Sequence, residues 1–259
     1  MIELHELSKQ FIRPSSRPWH QGEPVQAVRQ VSFVARDGMI TGLLGANGAG
    51  KTTTLRMIAA LLRQDGGQIT IDGQPVQAGQ KSTQALMGVL SDARGLYPRL
   101  TARENIVYYG VLQGMTRQQA SQRADFLAGV LEMTSLLERR CDGFSQGEKM
   151  KTALARAMVH DPKNIILDEP TNGLDVLATR ALREFLRWLR SPAGGSKCII
   201  FSTHIMQEVE RLCDHVVIIA RGETVAQGTV TQLLQQAQES DFENAFVRLA
   251  FVANLRSGL

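Results

Sequence analysis

Residues Gly45-Ala46-Asn47-Gly48-Ala49-Gly50-Lys51-Thr52 stand between a short apolar run, Met39 to Leu44, and apolar positions at Leu55, Ile58, Ala59 and Leu62 with helical spacing. The pattern is G-x-x-x-x-G-K-[ST] after an expected strand and at the start of an expected helix, the context the motif requires. Its glycines let the backbone bend until several N–H groups point inward at phosphate oxygens. The helix N-terminus adds partial positive charge. In such a loop Lys51 reaches the β- and γ-phosphates of a nucleotide, and the Thr52 hydroxyl is placed to ligate Mg²⁺.

A second polar group closes another apolar run. Ile165-Ile166-Leu167 is followed by Asp168-Glu169, and an acidic residue at the C-terminal end of a strand faces the ligand crevice of an open α/β sheet. Asp168 is expected to hold Mg²⁺ directly or through water, and Glu169 to act as the general base that polarises an attacking water. Two adjacent acids suit hydrolysis better than phosphate transfer to a separate acceptor.

Around these motifs the chain alternates strands and helices. Residues 2–11 and 31–34, Ile69 to Ile71, Cys198 to Phe201 and Val216 to Ala220 read as strands; residues 13–24, with three of the eight prolines, read as an exposed loop. Leu182, Phe185, Leu186 and Leu189 mark an amphipathic helix. Thr101-x-x-Glu104 and Thr116-x-x-Gln119 are capping boxes before apolar stretches, so residues 93–145 read as a helical insert without strands. Alternation of this kind predicts a mainly parallel sheet. The tail, 231–259, reads as helical. With 259 residues the chain has room for one large domain or two small ones. Hydrophobic residues at 43% and charged residues at 21% are ordinary for a globular protein. Aromatics at 5% argue against a stacking surface for single-stranded nucleic acid. Twenty-nine basic against 25 acidic residues leave a mild +4, which permits an acidic ligand or an anionic membrane surface without requiring either. The three cysteines have no metal-ligand spacing and read as reduced, mostly buried thiols. MIELHELSKQF lacks the apolar run of a secretory signal, and no stretch approaches the ~18 apolar residues of a membrane helix. Any membrane span is therefore expected from another subunit.

Phe144-Ser145-Gln146-Gly147-Glu148 opens a further helix just upstream of the acidic strand. Taken alone, Ser145 and Glu148 form one more capping box. The alternative is that Ser145, the Gly147 N–H and the helix N-terminus form a second anion site. Thr171-Asn172-Gly173-Leu174-Asp175 follows the acidic pair at once, and His204 follows the strand at Cys198. In this order the five motifs resemble those of the nucleotide-binding subunits of ABC transporters over residues 1 to about 230.

The resemblance implies a P-loop NTPase (RecA-like) α/β fold, with a mainly parallel sheet, an antiparallel β subdomain and an α-helical subdomain at about 93–145. GANGAGKT resembles the Walker A loop, with Gly45, Asn47, Gly48, Ala49, Gly50, Lys51, Thr52 and Thr53 around ATP. IILDE resembles Walker B, FSQGE the signature, Gly173-Leu174-Asp175 the D-loop, and His204 the switch histidine that senses the γ-phosphate. Phe11 occupies the place of the aromatic that stacks on adenine, with Trp19 as a competitor. Lys51, Glu169 and His204 are the implied catalytic set. Ser145, Gly147 and Asp175 are implied to meet the ATP of a second subunit, in a head-to-tail pair of identical or related chains. The implied cofactors are ATP and Mg²⁺; the implied partner is a transmembrane permease subunit, with no nucleic acid, and the implied place is the cytoplasmic face of the inner (plasma) membrane. Two departures stand out. The usual signature is L-S-G-G-Q, and Glu148 adds negative charge near a nucleotide, which weakens the expected pairing. Asp92 replaces the usual Mg²⁺-ligating Gln. The runs at 91–106 and 144–175 look most like exporters of the ABC-2 type, and among them the sodium-efflux NatA type. The competing class is a soluble ABC-type ATPase acting on nucleic acid or ribosomes.

Overall fold

The computed structural model describes residues 1–13, 22–91 and 95–252. Two long strands, β1 (Ile2–Arg13) and β2 (Glu23–Ala35), lead to β3 (Ile40–Leu44) and α1 (Lys51–Ile58). Then come β4 (Gly66–Ile71), β5 (Gln74–Pro75), α2 (Lys81–Gln84) and β6 (Met87–Leu90). Helices α3 (Ala102–Leu112), α4 (Arg117–Val130) and α5 (Gln146–Met158) follow without a strand among them. The chain continues through β7 (Asn164–Asp168), α6 (Val176–Arg190), β8 (Cys198–Thr203), α7 (Met206–Leu212), β9 (His215–Ala220) and β10 (Glu223–Gly228). Helices α8 (Val230–Ala237) and α9 (Phe242–Val247), with a π turn at Arg248–Val252, form the tail.

All ten strands join one sheet in the order β5-β4-β1-β2-β10-β9-β3-β8-β7-β6. From β9 to β6 every pairing is parallel; from β5 to β2 every pairing is antiparallel. The halves meet through β10, antiparallel to β9 and parallel to β2 at Glu223 and Gln30. The mainly parallel sheet with an antiparallel part is thus the observed architecture. Successive residues of β7 point to opposite faces, as a pleated strand dictates. Ile165 and Leu167 join the core under α3–α6, and Ile166 joins the core shared with α1 and the antiparallel strands. A strand buried on both faces must be apolar throughout, which is why β7, β8 and β9 were visible as continuous runs.

Several local readings shift. The loop expected at 13–24 loses its ends to β1 and β2, and 14–21, with Trp19, lies outside the described residues. The α1 helix stops at Ile58, so Leu62 is not on it; Ala60 has φ 56° and the chain turns there. Strands β6 and β10 carried too little apolar signal to be read: MGVL is short and holds a glycine, and ETVAQG is largely polar. Both capping boxes form with reciprocal hydrogen bonds, at Thr101–Glu104 and Thr116–Gln119. The thiols are free. Burial pushes the Cys198 thiol up to about 12, so it stays protonated and unreactive. No described helix is long and apolar enough to cross a membrane.

Candidate active site

Leu44 ends β3, between β9 and β8 inside the parallel half of the sheet, and the glycine-rich loop leaves from there. Gly48 (φ 79°) and Gly50 (φ 108°) adopt left-handed backbone that a side chain resists. At Gly50 space also forbids one: a Cβ would lie 2.7 Å from Ala27 O. Gly50 is the N-cap of α1 and offers no side-chain cap, so the first-turn N–H groups remain directed at an incoming anion. Lys51 is 4% exposed. Its Nζ donates to Gly45 O at 2.7 Å and Ala46 O at 3.2 Å and stands 3.5 Å from Glu169 Oε1. The ammonium thus sits inside the loop, held between two carbonyls and a carboxylate. Thr53, next to Thr52, lies half-buried on the first turn of α1.

The two carboxylates sit where β7 ends, and one hydroxyl orders both. Ser202 Oγ on β8 donates to Asp168 Oδ1 at 2.7 Å and accepts from the Glu169 amide at 2.9 Å. Thr52 Oγ1 lies 3.3 Å from the same Asp168 oxygen. Glu169 itself has φ 46°, a strained turn out of the strand. Asn172 Nδ2 donates to its Oε2 at 2.5 Å and His204 Nδ1 lies 3.2 Å from the same oxygen. Burial alone would raise the Glu169 pKa; the Asn172 hydrogen bond and the charges of Lys51 and His204 outweigh it and hold the carboxyl below the usual range. Lys51, Thr52, Asp168, Glu169 and His204 therefore form one connected group. Ser202 and Asn172 complete it and were not singled out from the sequence. The only available signal was a polar residue closing the apolar run of β8 and an Asn three places after Glu169.

The donor set suits Mg²⁺. Thr52 and Asp168 offer hard oxygens at one point, and among the described residues no cluster of three or more His, Cys, Asp or Glu could hold a metal alone. A cation bound through one or two protein oxygens plus substrate phosphates has that pattern. Asp92 lies outside the described residues.

Ser145 caps α5. Its Oγ accepts from Glu148 N at 3.2 Å, and Glu148 Oε2 accepts from Ser145 N at 2.7 Å. The charge of Glu148 does not stand alone: Oε1 meets Arg139 Nη1 at 2.9 Å, and the Arg139 guanidinium lies 5.3 Å from the Phe144 ring centroid. The hydrogen bond from the Ser145 amide, with Arg139 behind it, holds the Glu148 carboxyl below its ordinary range. A Cβ on Gly147 would lie 3.4 Å from Ala178 Cβ, so the starts of α5 and α6 touch. Asp175 caps α6, accepting from Ala178 N at 2.8 Å. Val176 and Leu177 behind it are 81% and 78% exposed. Among the described residues no hydrogen bond or ion pair links Ser145, Gly147 or Asp175 to the glycine-rich loop. Phe11 is on β1, 41% exposed, with Lys9 Nζ 5.8 Å from its ring centroid.

A family model described as "ABC transporter" matches residues 28–172. The chain is 40% identical over 253 residues to "ABC transporter ATP-binding protein NatA" of Bacillus subtilis (strain 168), covering 95% of this chain and 97% of that protein. It is 38% identical over 208 residues to "Nod factor export ATP-binding protein I" of Burkholderia lata, covering 80% of this chain and 67% of that one. The solved "Structure of ATP binding subunit of ABC transporter" superposes with a TM-score of 0.81 at 27% identity, covering 96% of this chain and 99% of that chain.

Proposed function

Because the chain belongs to the ABC transporter family and is an ATP hydrolase of that family, we propose that it powers an exporter from the cytoplasmic face of a membrane, with sodium ion as cargo. The observation that carries the catalytic part is the connected group of Lys51, Asp168, Glu169 and His204 at the ends of α1, β7 and β8. The loop N–H groups and Lys51 bind the β- and γ-phosphates. Thr52 and Asp168 would hold Mg²⁺, which supplies positive charge to the phosphate oxygens when bound. Glu169, kept ionised, takes the proton of the attacking water. His204 orients that carboxylate and reaches the γ-phosphate, and Phe11 stacks on the base.

Ser145 and Gly147 lie on an exposed helix start apart from this group. They are supplied with a phosphate by a second copy or a related chain, in a pair that ATP closes; the exposed Val176 and Leu177 next to Asp175 supply apolar area for that contact. The Arg139–Glu148 ion pair offsets part of the negative charge that Glu148 brings to the nucleotide. Size-exclusion of Glu169→Gln with MgATP is expected to show a dimer where the nucleotide-free protein runs as a monomer. Arg139→Gln, which leaves the Glu148 charge uncompensated, is expected to weaken that dimer several-fold. A persistent monomer with ATP bound would reject pairing of this chain alone.

Cargo rests on the resemblance of residues 91–106 and 144–175 to the sodium-efflux type. A transmembrane permease selects it, since no site residue here reads an alkali cation. Sodium-loaded medium around inverted vesicles carrying both subunits should give MgATP-dependent Na⁺ uptake. Uptake of a different cargo with no Na⁺ movement would overturn the sodium assignment and leave the ATPase reading intact.

The environment of Glu169 also makes a pH prediction. Asn172 donates to the ionised form, so Asn172→Ala should raise the Glu169 pKa. A base works when ionised; the acid limb of kcat/KM against pH should therefore move to higher pH in the variant. A profile that coincides with wild type would remove Glu169 from the proton-accepting role or Asn172 from its support.

A further inference from the structure

One face of the glycine-rich loop is turned toward the end of β9 and the C-terminal tail. A Cβ on Gly45 would fall 2.4 Å from Ile219 O, and Ala49 O accepts from Gly222 N at 2.9 Å where β9 turns into β10. Beside this turn lies a cavity of about 170 Å³. Residues Ala46 to Ala49 of the loop form one wall; Phe246, Ala250 and Phe251 of the C-terminal tail form another. Phe246 is 5% exposed and belongs to the core of Leu44, Ile218 and Ala220. Leu44 is the last residue before the loop. Phe251 meets Phe246 edge-on, with centroids 6.0 Å apart.

A loop with glycine at 45, 48 and 50 is intrinsically soft. Amide groups that must be ordered as phosphate arrives cost affinity; groups held in advance do not. One backbone hydrogen bond holds the loop at Ala49, Ile219 O approaches it closely at Gly45, and the tail faces the residues between them across the cavity. We infer that Phe246 is a positioning residue for ATP binding: its ring shares the core of Leu44, the root of the loop, faces Ala46 to Ala49 across the cavity, and so keeps the N–H groups converged on the phosphates. Phe251 braces that ring. The inference rests on the ATP-binding reading of the loop and gives the tail a role in it.

The test compares Phe246→Ala, Phe246→Leu and Phe251→Ala with Phe242→Ala in the full chain, by ATPase kinetics and by titration with a fluorescent ATP analogue, well below each melting temperature. Phe242 is 2% exposed in the same tail core but does not line the cavity. For Phe246→Ala, KM and Kd are expected to rise about tenfold with kcat within about twofold, the mark of lost ground-state binding. Phe246→Leu should recover to within about threefold of wild type, and Phe251→Ala, at a 42% exposed position, should raise Kd about threefold with little change in melting temperature. Phe242→Ala should lower the melting temperature and leave Kd within about twofold. A Phe246→Ala protein with wild-type Kd, or a Phe242→Ala protein with the same rise, would overturn the inference alone. A wild type that binds no ATP analogue would overturn the nucleotide reading as well.

Discussion

Glu169→Gln lowers the MgATP turnover number by about 10²–10⁴-fold, the usual worth of a general base, while the protein still binds ATP. The amide is isosteric and keeps a carbonyl oxygen for Asn172, which donates at 2.5 Å to the carboxylate, so the loop after β7 has no reason to move. The Glu169 amide stays anchored on Ser202 Oγ at 2.9 Å. What is lost is the proton acceptor, and with it the negative partner of Lys51 and His204. Removing that charge from beside the phosphates does not weaken the binding of a polyanion, so Kd is expected to hold or fall. Single-turnover hydrolysis and analogue titration on the same preparation separate the two. Turnover within threefold of wild type would reassign the base. His204→Ala, which removes the orienting contact at 3.2 Å but leaves the carboxylate, should slow turnover less than Glu169→Gln, again with binding kept.

Lys51→Ala has the second large effect, on binding. Lys51 is the buried cation of the loop, and no other Lys or Arg makes an ion pair with Glu169 among the described residues. A charge-assisted contact inside a closed site contributes about 3 kcal/mol, so Kd for ATP should rise about 10²-fold or more. Lys51→Arg should not rescue it. The Nζ fits between Gly45 O and Ala46 O at 2.7 and 3.2 Å, a place for a compact ammonium and not for a planar fork. Analogue titration reads the change directly; a Kd within threefold of wild type in Lys51→Ala would move phosphate recognition elsewhere.

The residues of these experiments are legible in the sequence because each sits where a local pattern changes. Gly45 to Thr52 interrupts an apolar strand with glycines and a lysine; Asp168 and Glu169 interrupt another with charge. The strands themselves were legible where both faces are buried, as in β7 to β9, since continuous burial demands continuous apolar residues. Strand β10 was not, because its residues are largely polar and it was recruited by its neighbours on either side. Ser202 and Asn172 are silent in the sequence for a related reason: a serine at a strand end and an asparagine in a turn are ordinary, and the fold brings Ser202 within 2.9 Å of the Glu169 amide while the tight turn brings Asn172 to its carboxylate.

Sequence alone determined the phosphate loop, its lysine, the acidic strand end and the capped helix starts, because glycine freedom, charge and capping act over three or four residues along the chain. The tertiary structure decided the rest. It closed Lys51, Glu169 and His204 into one group across α1, β7 and β8, supplied Arg139 to the charge of Glu148, and set the tail across a cavity from the loop. Apart from Arg139 and Glu148, which are nine positions apart, those contacts join residues tens to hundreds of positions apart. Their distances follow from the order of strands in the sheet, which no local spacing encodes.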